Sequence, residues 1–306
     1  MMEQRRLSLP QSPDLQPSSG LMPVQSRRPV AGRTESERRE RASLRRLEAG
    51  EQRKRAARLA EALRNDSFVL RYLPRLDLAS PGDGFVSAEL WLGLPNRRRG
   101  LMPVAPLLRG IDRAPLRHEM LCHTLRIAAE ELACGPPRWQ ISVPMSGHAL
   151  ADGLIGEVAL QTLDPLGIEP HRIDILIDEA ELVIGGDLLQ QQIASLREAG
   201  IGVTLEGFGN AFGGLALLSR LPFTGLKLDR RLAHALVNDP AGPDVVLIRA
   251  AIDIARRYDV LVSIDGIETE TELQKARELG IGQAQGPWVG PALPADVMRA
   301  RLRLNG

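Results

Sequence analysis

The feature that most constrains this chain is a regular alternation, from residue 68 onward, of short aliphatic runs with longer amphipathic stretches. Eight runs read as strands: 68–78, 86–94, 139–146, 173–180, 202–209, 225–232, 261–268 and 282–290. Helical periodicity fills 116–132, 188–198, 245–257 and 270–279 between them. Strands alternating with helices predict parallel βαβ units, and eight of them predict a closed (βα)₈-type barrel of TIM-like architecture. Aromatic residues make up only 3% of the chain, so the core must be aliphatic, as buried parallel strands are. The first two runs are separated by Ser80-Pro81-Gly82-Asp83-Gly84 rather than a helix. That turn predicts an antiparallel first strand, a departure from a regular barrel.

The segment before the barrel has a different character. Residues 1–33 are rich in Pro, Ser, Gln and Arg without apolar periodicity, which predicts a disordered tail. Thr34 and Glu37 form a T-x-x-E capping box, and a basic helix is expected from there to Arg64, with residues 34–65 as a linker and 66–306 as the barrel. Its apolar stripe (Leu44, Leu47, Ala56, Leu59, Ala60, Leu63) is narrow, and Gly50 weakens it by about 1 kcal/mol relative to Ala. Residues 1–65 carry 15 basic and 8 acidic side chains, a net of +7, against −6 for the rest. A basic arm on an acidic body suggests a protein partner or self-association into a homodimer. Nucleic acid is disfavoured, because no aromatic residues are interleaved with the arginines for stacking.

No run reaches the roughly 18 apolar residues of a membrane span, and the N-terminus lacks the apolar core of a signal peptide. Cytoplasmic residence is the expectation. Cys122 and Cys134 match no zinc or redox spacing and are expected to be buried free thiols. The five histidines form no ligand-spaced pair.

In a barrel the site is built at the C-terminal strand ends. Those ends hold Glu89, Pro144, Asp178, Glu179, Glu206, Asp229, Asp265, Glu268 and Gln285. Such a ring of carboxylates can hold divalent cations against a phosphate. The alternative is that the acids cap helices and pair with Arg or Lys.

The order of short motifs decides which family the chain resembles. Tyr72-Leu73-Pro74, Ala88-Glu89-Leu90, Ser142-Val143-Pro144-Met145-Ser146 and Leu176-Ile177-Asp178-Glu179 are followed by Glu206-Gly207-Phe208-Gly209, Leu226-Lys227-Leu228-Asp229, Asp265-Gly266-Ile267-Glu268-Thr269 and Gln285-Gly286. This series resembles the EAL family of cyclic di-GMP phosphodiesterases, in register over about residues 66–304. The resemblance implies that Lys227 and Gln285 are remnants of the catalytic set. It likewise makes Glu89, Glu206, Asp265 and Glu268 remnants of a metal-binding set.

Several family positions are changed. Pro144 stands where the family has a ligand Asn, Leu176 replaces a Glu, and Glu206-Gly207 replaces an Asp-Asp pair. Leu73 and Gly93 replace two nucleotide contacts, for which Arg97, Arg98 and Arg99 could substitute from the next loop. With oxygen ligands lost, a two-metal arrangement is not expected, since Mg²⁺ demands near-octahedral geometry. The expectation is a catalytically degenerate EAL-like protein acting as a cyclic di-GMP receptor or protein-interaction scaffold in bacterial signalling, without a cofactor. The alternative is an active phosphodiesterase using Mg²⁺ or Mn²⁺ on a rearranged set that adds Glu179. Gly207-Phe208-Gly209-Asn210-Ala211-Phe212-Gly213 does not fit a dinucleotide fingerprint, because its third glycine is one position late.

Overall fold

The structure is a computed structural model, and it describes residues 35–79, 84–96, 100–108, 114–151, 153, 155–210 and 213–304. The chain divides into one unit ending at Leu47 and a second beginning at Glu48. The expected helix is present as Glu35–Arg64. Thr34 and the tail 1–33 lie outside the described residues.

Within the second unit nine strands form one sheet: β1 (Val69–Asp77), β2 (Phe85–Asn96), β3 (Gly100–Pro103), β4 (Gln140–Met145), β5 (Ile173–Asp178), β6 (Gly202–Phe208), β7 (Gly225–Leu228), β8 (Leu261–Ile264) and β9 (Gln283–Ala284). The order β1-β9-β8-β7-β6-β5-β4-β2, with β1 also pairing β2, closes an eight-stranded barrel. β1 runs antiparallel to both neighbours, and the pairs from β2–β4 round to β8–β9 are parallel. All eight expected strands are therefore in the wall.

Several expectations need correction, and the runs 261–268 and 282–290 shorten to Leu261–Ile264 and Gln283–Ala284. The run 225–232 is not one strand. It stops at Leu228, because the Asp229 carboxylate accepts from the Arg231 N–H at 2.9 Å and starts the helix Arg230–Asn238. The four-residue β3, which pairs antiparallel with the outer end of β2, carries too little alternation to be read in advance. Cys134 is exposed and Cys122 half-buried, both as free thiols, so neither is a core residue.

The wall separates two environments. Its outer face is aliphatic: Ile141, Val143, Ile173, Ile175, Val203 and Leu226 are fully buried beneath the surrounding helices. A smaller cluster joins Ala56, Leu59 and Ala62 of the first helix to Leu94, Val104 and Met120, which anchors that helix's last turns beside β2. Because side chains alternate along a strand, the intervening residues point into the barrel. There most are polar, with Leu73, Pro144 and Leu176 the apolar exceptions.

Candidate functional site

Lys227 lies at the centre of the interior, fully enclosed on β7. Its ammonium donates to Glu89 Oε2 at 2.5 Å and to Glu206 Oε1 at 2.8 Å, with Asp265 Oδ2 at 3.9 Å. β2 and β7 are not neighbours in the wall, so the Lys227–Glu89 bond crosses the barrel. Gln285 Nε2 donates to the same Glu89 oxygen at 3.2 Å.

Arg75, on β1, reaches in from the other side. Its Nε donates to Gln285 Oε1 at 3.2 Å, its Nη1 to Ser142 Oγ at 2.8 Å, and its Nη2 stands 3.6 Å from Glu89. Asp174 completes this layer, accepting from Ser142 and Thr204, each at 2.8 Å.

Gln285 is held in place by its backbone. Its N–H donates to Ile264 and its carbonyl accepts from Ile267. The next residue must be glycine: at φ +150 a Cβ on Gly286 would lie 2.3 Å from the Ile267 nitrogen.

The electrostatics follow from this geometry. Burial alone would lower the Lys227 pKa, but Glu206, Glu89 and Asp265 outweigh it, and the ammonium is held well above its ordinary value. Burial would raise the Glu89 pKa, yet Lys227, Arg75 and Gln285 hold it below the usual carboxylate range. Glu206 is pushed upward by burial, opposed by Lys227 and reinforced by the Glu89 charge. Two carboxylates thus compete for one ammonium.

Of the predicted metal set, Glu89, Glu206 and Asp265 gather around Lys227. Glu268 lies apart, half exposed, 3.8 Å from His234 Nε2. Glu179, part of the alternative set, is buried and accepts from the N–H groups of Gly209 and Gly214, so it holds the loop after β6. Asp178 caps the helix Glu179–Glu198. Pro144 and Leu176 are direct partners across β4 and β5, an apolar step between Glu89 and Glu206. Gly207, at φ +73 in a bulge, leaves room beside Asp178 that no side chain fills. Among the described residues, no three His, Cys, Asp or Glu side chains converge in a way that could hold a metal ion. The residues present do not fit a two-metal centre, because the acids that converge do so on an ammonium. Arg97, Arg98 and Arg99 lie outside the described residues.

Above Lys227 a cleft of about 390 Å³ opens at the C-terminal rim. Glu89, Asp178, Glu206 and Asp229 line it together with Trp91 and Pro144, and no Lys or Arg among the described residues does so.

The sequence residues 56–292 match the family model described as the EAL domain. The chain belongs to the EAL domain family. The bifunctional diguanylate cyclase/cyclic di-GMP phosphodiesterase MucR of Pseudomonas aeruginosa is 24% identical over 80% of this chain and 36% of its own length. The cyclic di-GMP phosphodiesterase PdeR of Escherichia coli is 25% identical over 78% of this chain and 36% of its own. This chain therefore spans about a third of the length of such relatives.

Solved structures agree on the fold. The EAL enzyme Bd1971, in its cAMP- and cyclic-di-GMP-bound form, superposes with a TM-score of 0.72 at 19% identity, covering 89% of this chain and 77% of that one. The Xanthomonas citri FimX EAL domain in complex with cyclic di-GMP gives 0.68 at 20%, covering 81% and 97%. Among the described residues, no helix is long and apolar enough to cross a membrane.

Arg75 and Asp174 were missed by the sequence reading. Both interrupt aliphatic strands at positions two residues from other inward-facing groups, Leu73 and Leu176, and that period is the signal that could have found them.

Proposed function

We propose that this EAL-domain chain does not hydrolyse cyclic dinucleotides and acts in cyclic di-GMP signalling as a protein-interaction module. The observation that carries this reading is the Lys227 ammonium bridging Glu89 and Glu206, with Pro144 and Leu176 beside it. An ammonium occupies the place toward which the acids converge, and the Pro144 and Leu176 side chains offer no oxygen ligand. The cleft above favours a protein partner over the nucleotide. Its lining acids, of which Glu89 and Glu206 share Lys227 and Asp229 pairs with Arg231, offer no cation to a ligand carrying two phosphates. Asp178 and the remaining acidic excess instead complement basic side chains. The partner's chemistry is thus cationic and partly apolar, to match Trp91 and Pro144.

The test is to incubate the protein with cyclic di-GMP and Mg²⁺ or Mn²⁺ and chromatograph the nucleotide. Intact cyclic di-GMP is the expected result. Linear product that disappears in Glu89→Ala would overturn the proposal.

A second reading, an active phosphodiesterase, is favoured by the retention of Glu89, Lys227 and Gln285 and by the phosphodiesterase names of two relatives. It requires Lys227 to release both glutamates when metal binds. Retention of Mn²⁺ by the protein after desalting would support that reading, and absence of retained metal would support the first.

A further inference from the structure

Below the Lys227 layer the barrel is hollow. A cavity of about 380 Å³ occupies the N-terminal end, lined by the first residues of several strands and by Arg75 near the end of antiparallel β1. A barrel of this class is ordinarily filled there by layers of bulky branched side chains. Here the inward positions are Ser87, Ser142, Thr204 and Ser263, with glycines opening β6 and β7. The volume is enough for about a dozen waters, and it falls in the range of small-molecule pockets.

The hydroxyl donors of this cavity are already engaged, Ser142 and Thr204 with Asp174, Ser87 with Gln283 and Ser263 with the Leu226 carbonyl, so the layer presents its free oxygen lone pairs. Asp174, its acid, is already taken by Ser142 and Thr204 and stands 4.0 Å from Arg75. Arg75 is buried and committed to its own layer: its Nε and Nη1 donate to Gln285 and Ser142, and its Nη2 faces Glu89 at 3.6 Å. At the solvent side the cavity is lined by Arg197, which spends only Nη1 on the Ile201 carbonyl, and by the exposed His171. The complement of this lining is a molecule that brings hydroxyl donors for the serine and threonine oxygens and a negative group for Arg197.

We propose that the base of the barrel is a binding site for a small polyhydroxylated organic anion, a sugar phosphate or sugar acid. Its anionic group is held by Arg197 at the mouth and its hydroxyls by the Ser/Thr layer. The site is separate from the rim and stands whether or not the rim turns over nucleotide. Arg75 links the two ends, because the guanidinium that lines the cavity also holds Gln285, which holds Glu89.

The test is calorimetric titration of the full chain with glucose 6-phosphate, gluconate, glucose and inorganic phosphate. Saturable binding of glucose 6-phosphate or gluconate is expected, and which of the two binds identifies the anionic group. Arg197→Gln, at the mouth, should weaken binding about tenfold or more, the loss of one charge-assisted contact. Ser263→Leu, which fills the cavity, should abolish it. If that variant fails to fold, Arg197→Gln alone decides. No saturable binding of either sugar anion overturns the proposal, as does equal affinity in Arg197→Gln. Inorganic phosphate or glucose binding as tightly as the sugar anions would also overturn it.

Discussion

The two ends of the barrel are lined by the same eight strands, but they leave their charged groups in different states. At the rim, Glu89 takes hydrogen bonds from Lys227 and Gln285, and the ammonium is divided between two carboxylates. At the base, the acid is satisfied by hydroxyls, while Arg197 at the mouth keeps donors to spare. A charged group becomes a binding element only where the fold leaves its capacity unspent. By that measure Glu89 and Glu206 are spent on Lys227 beneath the rim cleft, and the base is open to a visitor.

Removing Lys227 should test the contrast most severely. Lys227→Met leaves Glu89 and Glu206 buried without their shared counter-ion, and breaking such a pair costs about 3–5 kcal/mol. Urea unfolding measures this, and a loss below about 1 kcal/mol would show that the rim acids do not depend on the ammonium.

The two glutamates should then respond differently. Glu89 has a lowered pKa, so its contribution to stability is complete above the ordinary value of 4.5 and disappears as pH falls through its folded value. Glu206 has a raised pKa, so its ionisation works against the fold as pH rises from 4.5 through its folded value. At neutral pH, Glu89→Gln should cost about 2–3 kcal/mol, and Glu206→Gln should be neutral or stabilising. Unfolding midpoints across pH 4–8 check both, and equal losses would erase the distinction between them.

At the base, Asp174→Asn keeps an acceptor for Ser142 or Thr204 and should cost only about 1–2 kcal/mol. An effect as large as that of Lys227→Met would mean that the base is as tightly self-neutralised as the rim.

The wall of the barrel was legible because its outer face repeats aliphatic residues with period two, and because Ser80-Pro81-Gly82-Asp83-Gly84 cannot form a crossover helix. The acids around Lys227 were legible as strand-end residues. Their mutual arrangement was not, since it depends on bonds across the barrel between strands more than a hundred residues apart in the chain. The base was illegible for a related reason. Ser142 and Thr204 look unremarkable in a strand, and only closure of the barrel reveals that no large side chain fills the space between them.

β1 meets β9 through two residue pairs, Leu76↔Ala284 and Asp77↔Gln283, extended by the Leu78 N–H donating to the Gly282 carbonyl and by a bridge from Tyr72 to Leu293. Every other contact that closes the ring joins strands far nearer in sequence. Bringing the two ends of the barrel sequence together carries the largest loop entropy of any contact in the wall. This seam should therefore form last and open first, and its amide protons should exchange with solvent sooner than those of β5 and β6. Since Gln285 is anchored directly after β9, the seam's breathing would set how often the two ends of the barrel can change partners at all.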